Sequence, residues 1–135
     1  MRKRALAAQA GVGIQYEQAD LLTWTWPIGA YDLVAAIYVH FFDADRTRLH
    51  RAMYSALVPG GRLLLEAYSV AQLDMQKLHH SGGPKTADML YTVDKLRHDF
   101  TDGAIELLEE RTVELDEGHR HSGLAAVVRC IVRKV

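Results

Sequence analysis

Apolar and polar positions alternate between two periods along the chain, and the changes of period mark its elements. Tyr31 to Val39 is an unbroken apolar run, as in a strand covered on both faces of a mostly parallel sheet. After it, Leu49, Met53, Ala56 and Leu57 recur at helical spacing behind Asp43 and Asp45, either of which suits a helix N-cap. Pro59-Gly60-Gly61 ends that helix, and Arg62 to Tyr68 is a second apolar strand. Strand, helix and strand with short joints predict a right-handed parallel crossover. Upstream, residues 2–10 hold good helix formers closed by Gly11 and Gly13, with Leu6 and Ala10 needing a surface to dock on. Ile14-Gln15-Tyr16-Glu17-Gln18 alternates as a half-buried or edge strand does, and Trp24 to Gly29 reads as a loop.

Downstream, residues 70–91 are less regular, and connections of that length usually act as lids or stay disordered. Thr92 caps a short helix through Phe100. Residues 104–115 and 124–135 predict two long strands joined by a polar, glycine-containing hairpin connection. The whole, residues 1–135, reads as one α/β domain closing in an antiparallel hairpin.

Composition narrows the function classes. Hydrophobic residues make up 49% of the chain, charged residues 24%, and the formal net charge is -1, so nothing draws it to nucleic acid or an anionic membrane. No apolar run suits a membrane span, the N-terminal residues do not read as a signal peptide, and Cys130 inside an apolar strand suits a reducing compartment, the cytoplasm.

An Ala19-Asp20-Leu21 strand end, YDLVAAIYVHF, LVPGGRLLLEAYS, MLYTVDKLRHDF and a final β-hairpin follow in this order. The series resembles class I S-adenosylmethionine-dependent methyltransferases, closest to the small bacterial tellurite-resistance and thiopurine-type enzymes. The resemblance implies a Rossmann-like sheet ordered 3-2-1-4-5-7-6. Residues 14–18, 31–39, 62–68, 104–115 and 124–135 would stand for strands three to seven. The equivalents of strand one, its glycine loop and strand two do not occur, and Gly11-Val12-Gly13 follows a helix rather than a strand. It also implies S-adenosylmethionine as cofactor and methyl transfer to a small-molecule thiol, amine, hydroxyl or chalcogen. The cofactor site, incomplete in one chain, would be completed by a homodimer or a domain-swapped oligomer through the exposed strand 31–39. Two alternatives stay open: a non-catalytic methyltransferase-like dimerisation or binding module, and a fragment of a longer methyltransferase with Met1 an internal start.

The candidate residues follow from both readings. Asp20 and Leu21 would face the adenine, although an Asp at a strand end equally satisfies its own turn. Ile37 and Tyr38 lie where the family lines the methionine side. His40 suits a base, or a packed or capping histidine beside Phe41 and Phe42. Glu66 interrupts an apolar strand, so it either reaches the cleft or pairs with Arg62 or a helix arginine. Tyr91 and His121 would touch substrate. Glu117, His119 and His121 are the residues to consider for a metal, against simple exposure in a turn. No metal is expected at the site.

Overall fold

The computed structural model describes residues 2–135; Met1 lies outside the described residues. Nine segments follow in order: α1 (Arg2–Gln9), β1 (Tyr31–Ile37), α2 (Asp43–Ser55), β2 (Leu57–Tyr68), α3 (Gln72–His79), a 3-10 turn (Ala87–Met89), α4 (Val93–Asp99), β3 (Ala104–Asp116) and β4 (Ser122–Arg133). The strands form one sheet ordered β1-β2-β4-β3. β1 and β2 are parallel, as the crossover pattern predicts, whereas β4 runs antiparallel to both β2 and β3.

Alternation along the strands sends two sets of side chains to opposite faces. On one face Leu63, Leu65, Ala67, Val128, Cys130 and Val132 pack beneath Leu49 and Met53 of α2 and Leu96 of α4. Burying a leucine-sized side chain contributes about 1.5–3 kcal/mol, so this layer dominates the stability of the fold. On the other face Tyr68, Ala125 and Val127 meet Leu73 of α3. That helix covers only one end of the sheet. Beyond it, Ile37, Leu64, Leu107 and Ile131 line a shallow cavity of about 150 Å³. Cys130 is buried, and burial pushes its thiol up to about 12, so it stays a protonated core residue. No helix among the described residues is long and apolar enough to cross a membrane.

Several expectations change. Residues 14–18 are exposed and form no ladder, so the alternation there has no neighbouring strand to pair with. α1 buries Ala7 and leaves Leu6 56% exposed, the reverse of the docking face expected. The N-cap of α2 is Phe42, without a side-chain bond; Asp43 instead forms ion pairs with Arg46 and Lys95. β2 begins at Leu57, and Pro59-Gly60-Gly61 lies within it, where the register jumps from Tyr31↔Leu57 to Leu33↔Arg62. Gly60 takes a φ of 81°, which favours glycine. Residues 70–91 hold α3, whose run Gln72-Leu73-Asp74-Met75-Gln76-Lys77-Leu78 is made largely of good helix formers. The Thr92 cap is present: its hydroxyl accepts from the Lys95 N–H at 3.1 Å.

Candidate active site at the carboxyl ends of the parallel strands

β1 and β2 end side by side, and their last residues open the site. Tyr38 follows β1 with a φ of 54°, a left-handed conformation rare for a bulky side chain. Its N–H still donates to the Glu66 carbonyl at 2.7 Å, so the turn is anchored to β2. The Tyr38 hydroxyl donates to Glu66 Oε1 at 2.6 Å, and Arg129 Nε donates to Glu66 Oε2 at 2.6 Å. Glu66 therefore pairs across the sheet with β4, not with Arg62, which reaches Glu106 on β3 instead. Burial, followed by the bond and charge of Glu66, raises the Tyr38 phenol, so it remains a proton donor.

The Tyr38 ring stacks on Tyr68 at 4.8 Å between centroids, and His121 lies 5.9 Å from Tyr38 with its ring 16° from parallel. The Tyr68 hydroxyl and His121 Nδ1 are 2.7 Å apart, which ties the β3–β4 turn to the end of β2. Gly82 and Gly83 let a second loop close over this stack. A Cβ on Gly83 would lie 2.9 Å from the Tyr68 ring, and one on Gly82 would lie 2.3 Å from the Arg120 carbonyl. The loop is held by Gln72, which donates to the Ser81 hydroxyl at 2.9 Å and the Gly82 carbonyl at 2.8 Å and accepts from the Ala126 N–H.

His40 sits behind the stack with both ring nitrogens engaged. Nδ1–H donates to the Met89 carbonyl at 2.7 Å, and Nε2 accepts the Tyr68 N–H at 3.2 Å. Burial lowers its pKa, only partly opposed by the Met89 carbonyl. In this arrangement the ring holds the end of β2 and has no free lone pair to offer. Tyr91 is fully buried; its hydroxyl donates to the Val39 carbonyl at 3.2 Å and accepts from the Phe41 N–H at 2.9 Å. It shapes residues 39–41 from beneath rather than reaching solvent.

Under Tyr91 lies a charged cluster that no motif announces. Asp99 accepts from Arg46 Nε at 2.8 Å, Thr47 Oγ1 at 2.6 Å and His50 Nδ1 at 2.8 Å. Burial alone would raise Asp99, but these donors outweigh it and hold the carboxyl at about 2. His50 is lowered by burial, and its Nε2 has no hydrogen-bond partner. Protonating His40 would break the bond its Nε2 accepts from Tyr68, and a proton added at His50 Nε2 would have no acceptor. With both folded pKa values below the ordinary 6.5, the unfolded chain takes up more protons as pH falls. Stability should therefore be level above pH ~7 and fall as pH drops from ~6.5 toward ~5, with the depressed Asp99 adding a loss below ~4. Urea denaturation across that range measures it; a profile flat down to pH ~5 would contradict it.

The expected cofactor residues sit along the outer side of β1. Asp20 Oδ1 accepts from the Leu22 N–H at 3.0 Å, closing its own turn. Leu21, Trp24 and Tyr31 line a groove of about 740 Å³ with Tyr16 and Glu17. Trp24 and Trp26 meet edge-on at 4.8 Å, and Trp26 packs against the main core. Ile37 and Tyr38 stand at the far end of β1, with Ile37 on the uncovered face. A cradle of backbone N–H groups for the amino-acid part of S-adenosylmethionine does not form there. The glycines near the site, Gly82 and Gly83, are filled by the Arg120 carbonyl and the Tyr68 ring. The described residues of one chain thus do not fit the cofactor by themselves. Among the same residues, no group of three His, Cys, Asp or Glu side chains is placed to hold a metal ion; Glu117 and His121 are joined by a backbone bond across their turn.

No protein-family model matches the sequence, and no curated protein is detectably similar to it. Solved structures do match. A protein studied for the conversion of a disulfide bond into a thioacetal group during echinomycin biosynthesis superimposes with a TM-score of 0.71 at 23% identity, over 97% of this chain and 60% of its own. TehB from Haemophilus influenzae gives 0.69 at 14% identity, over 98% of this chain and 45% of TehB. An S-adenosylmethionine-dependent methyltransferase from Mesorhizobium loti gives 0.67 at 22% identity, over 99% and 76%. The chain thus spans less than two thirds of the length of the first two. Its four-stranded mixed α/β sheet resembles part of the fold of class I S-adenosylmethionine-dependent methyltransferases, and matches TehB over part of that chain.

Proposed function

We propose that the chain works as part of a cytoplasmic S-adenosylmethionine-dependent methyltransferase acting on a small-molecule nucleophile, its cofactor site completed by a second chain. The observation that carries this reading is the convergence of Tyr38, Glu66, Tyr68 and His121 at the carboxyl ends of β1 and β2. Ligands of open α/β sheets lie in that position. In this reading β1, β2, β3 and β4 stand for strands four, five, six and seven. Tyr38 and Glu66 shape the acceptor side, His121 contacts substrate, and His40 and Tyr91 are positioning residues. Asp20, Leu21 and Ile37 serve the cofactor side.

A second reading, a non-catalytic binding module, has its own support. Both nitrogens of His40, both oxygens of Glu66 and one oxygen of Asp20 are already hydrogen-bonded within the chain. Calorimetric titration with S-adenosylhomocysteine separates the two. The first reading expects saturable heat with micromolar affinity; no heat and no thermal shift would leave the second.

A further inference from the structure

The sheet has two outer edges of opposite character. β3, on one side, carries Glu106, Glu109, Glu110, Arg111, Glu114 and Asp116, the charged dressing that keeps an edge from pairing. β1, on the other, carries one charge, Asp32, and no Lys, Pro or Gly. The Tyr38 N–H bond to Glu66 fixes which residues face β2. Alternate residues bond to one neighbour in a parallel pair, so Val34 and Ala36 face β2 while Leu33, Ala35 and Ile37 turn their N–H and C=O groups outward. No described backbone group bonds to those three from outside. Their side chains are exposed too, Leu33 at 55% and Ile37 at 52%. An apolar groove of about 320 Å³, lined by Leu21, Trp24, Trp26, Leu33 and Val39, runs beside this edge.

We propose that this edge pairs antiparallel with β1 of a second copy, about a two-fold axis through Ala35, to give one sheet of eight strands, four from each copy. The strand is self-complementary in that register. Ala35 faces the partner's Ala35, Leu33 faces the partner's Ile37, and every outward N–H and C=O of the three residues finds a mate. Like charges never oppose each other, because Asp32 falls opposite the partner's Tyr38. Residues 8–20 are exposed throughout, so they can give way to the incoming strand without opening the core. Resting on the reading of the site as incomplete in one chain, the pairing adds a wall to it: the partner's Asp32 stands beside Tyr38. A carboxylate there suits a ligand carrying positive charge.

The test needs no ligand, so its outcome is independent of whether the site binds cofactor. Sedimentation velocity of the full chain should show a dimer. Two residues facing each other across a hydrogen-bonded antiparallel pair have Cα atoms about 5.5 Å apart, within disulfide reach. Ala35→Cys should therefore cross-link into a covalent dimer under mild oxidation, while the buried Cys130 stays inert. Ala35→Lys, which sets two ammonium groups face to face, should sediment as a monomer with unchanged circular dichroism. A wild-type chain that stays monomeric at the highest soluble concentration would overturn the proposal. So would a dimer in which Ala35→Cys does not cross-link.

Discussion

Replacing Asp99 by alanine should cost about 3–5 kcal/mol of folding stability, the usual penalty for removing one partner of a buried ion pair. The carboxylate is 2% exposed and serves three donors at once, Arg46, Thr47 and His50. Its loss strands the Arg46 guanidinium, itself 6% exposed, with Asp43 as its remaining acidic partner. It also frees His50 Nδ1 beneath the Phe100 and Tyr91 rings, on a ring whose Nε2 already has no partner. A domain of this size has only about 5–15 kcal/mol in hand, so the urea midpoint should move by about 1 M or more. Asp99→Asn, which keeps an acceptor, should fall between the two. A midpoint for Asp99→Ala close to wild type would show that the cluster does not hold α2 to α4.

Tyr68→Ala carries the second large effect. Tyr68 is 1% exposed, packed between α3 and β4, and stacked on Tyr38, so truncation should cost about 3–5 kcal/mol, as for other buried aromatic-to-alanine changes. Tyr68→Phe keeps the packing and loses only the hydroxyl's bonds, to His121 and to the Ser81 carbonyl, for about 1 kcal/mol. The pair separates what the ring does for the core from what the hydroxyl does for the site. In Tyr68→Phe the His121 imidazole loses its tether, and its side-chain NMR resonances should shift while the core methyls of Leu63 and Val128 do not. Equal destabilisation by both substitutions would contradict the division.

Much of this architecture is legible in the sequence because it is written locally. The apolar run of β1, the Thr92 cap and the two long strands β3 and β4 each declare themselves within a dozen residues, and each forms. The places where the reading fails are those decided by neighbours. Residues 14–18 alternate like a strand, but a strand needs a partner, and none lies beside them. Pro59-Gly60-Gly61 looks like a stop and instead sits in a bulged strand, because Gly60 donates to the Lys134 carbonyl and Gly61 leaves room for the Asp32 carbonyl. Three candidate residues, Tyr38, Glu66 and His121, lie together in the structure. Arg129 beside them carries no sequence signal, since only the register of β2 on β4 brings it opposite Glu66. The Asp99 cluster joins residues about fifty positions apart and has no periodic signal at all.

Completion of the site at the ends of β1 and β2 by a second copy across the free edge of β1, as we propose, can be tested with ligand. The most direct measurement is a calorimetric titration of S-adenosylhomocysteine into wild type and Ala35→Lys at the same protein concentration. Wild type should bind saturably and the variant should not, while the variant stays folded by circular dichroism. Equal binding by both chains, or none by a dimeric wild type, would contradict it.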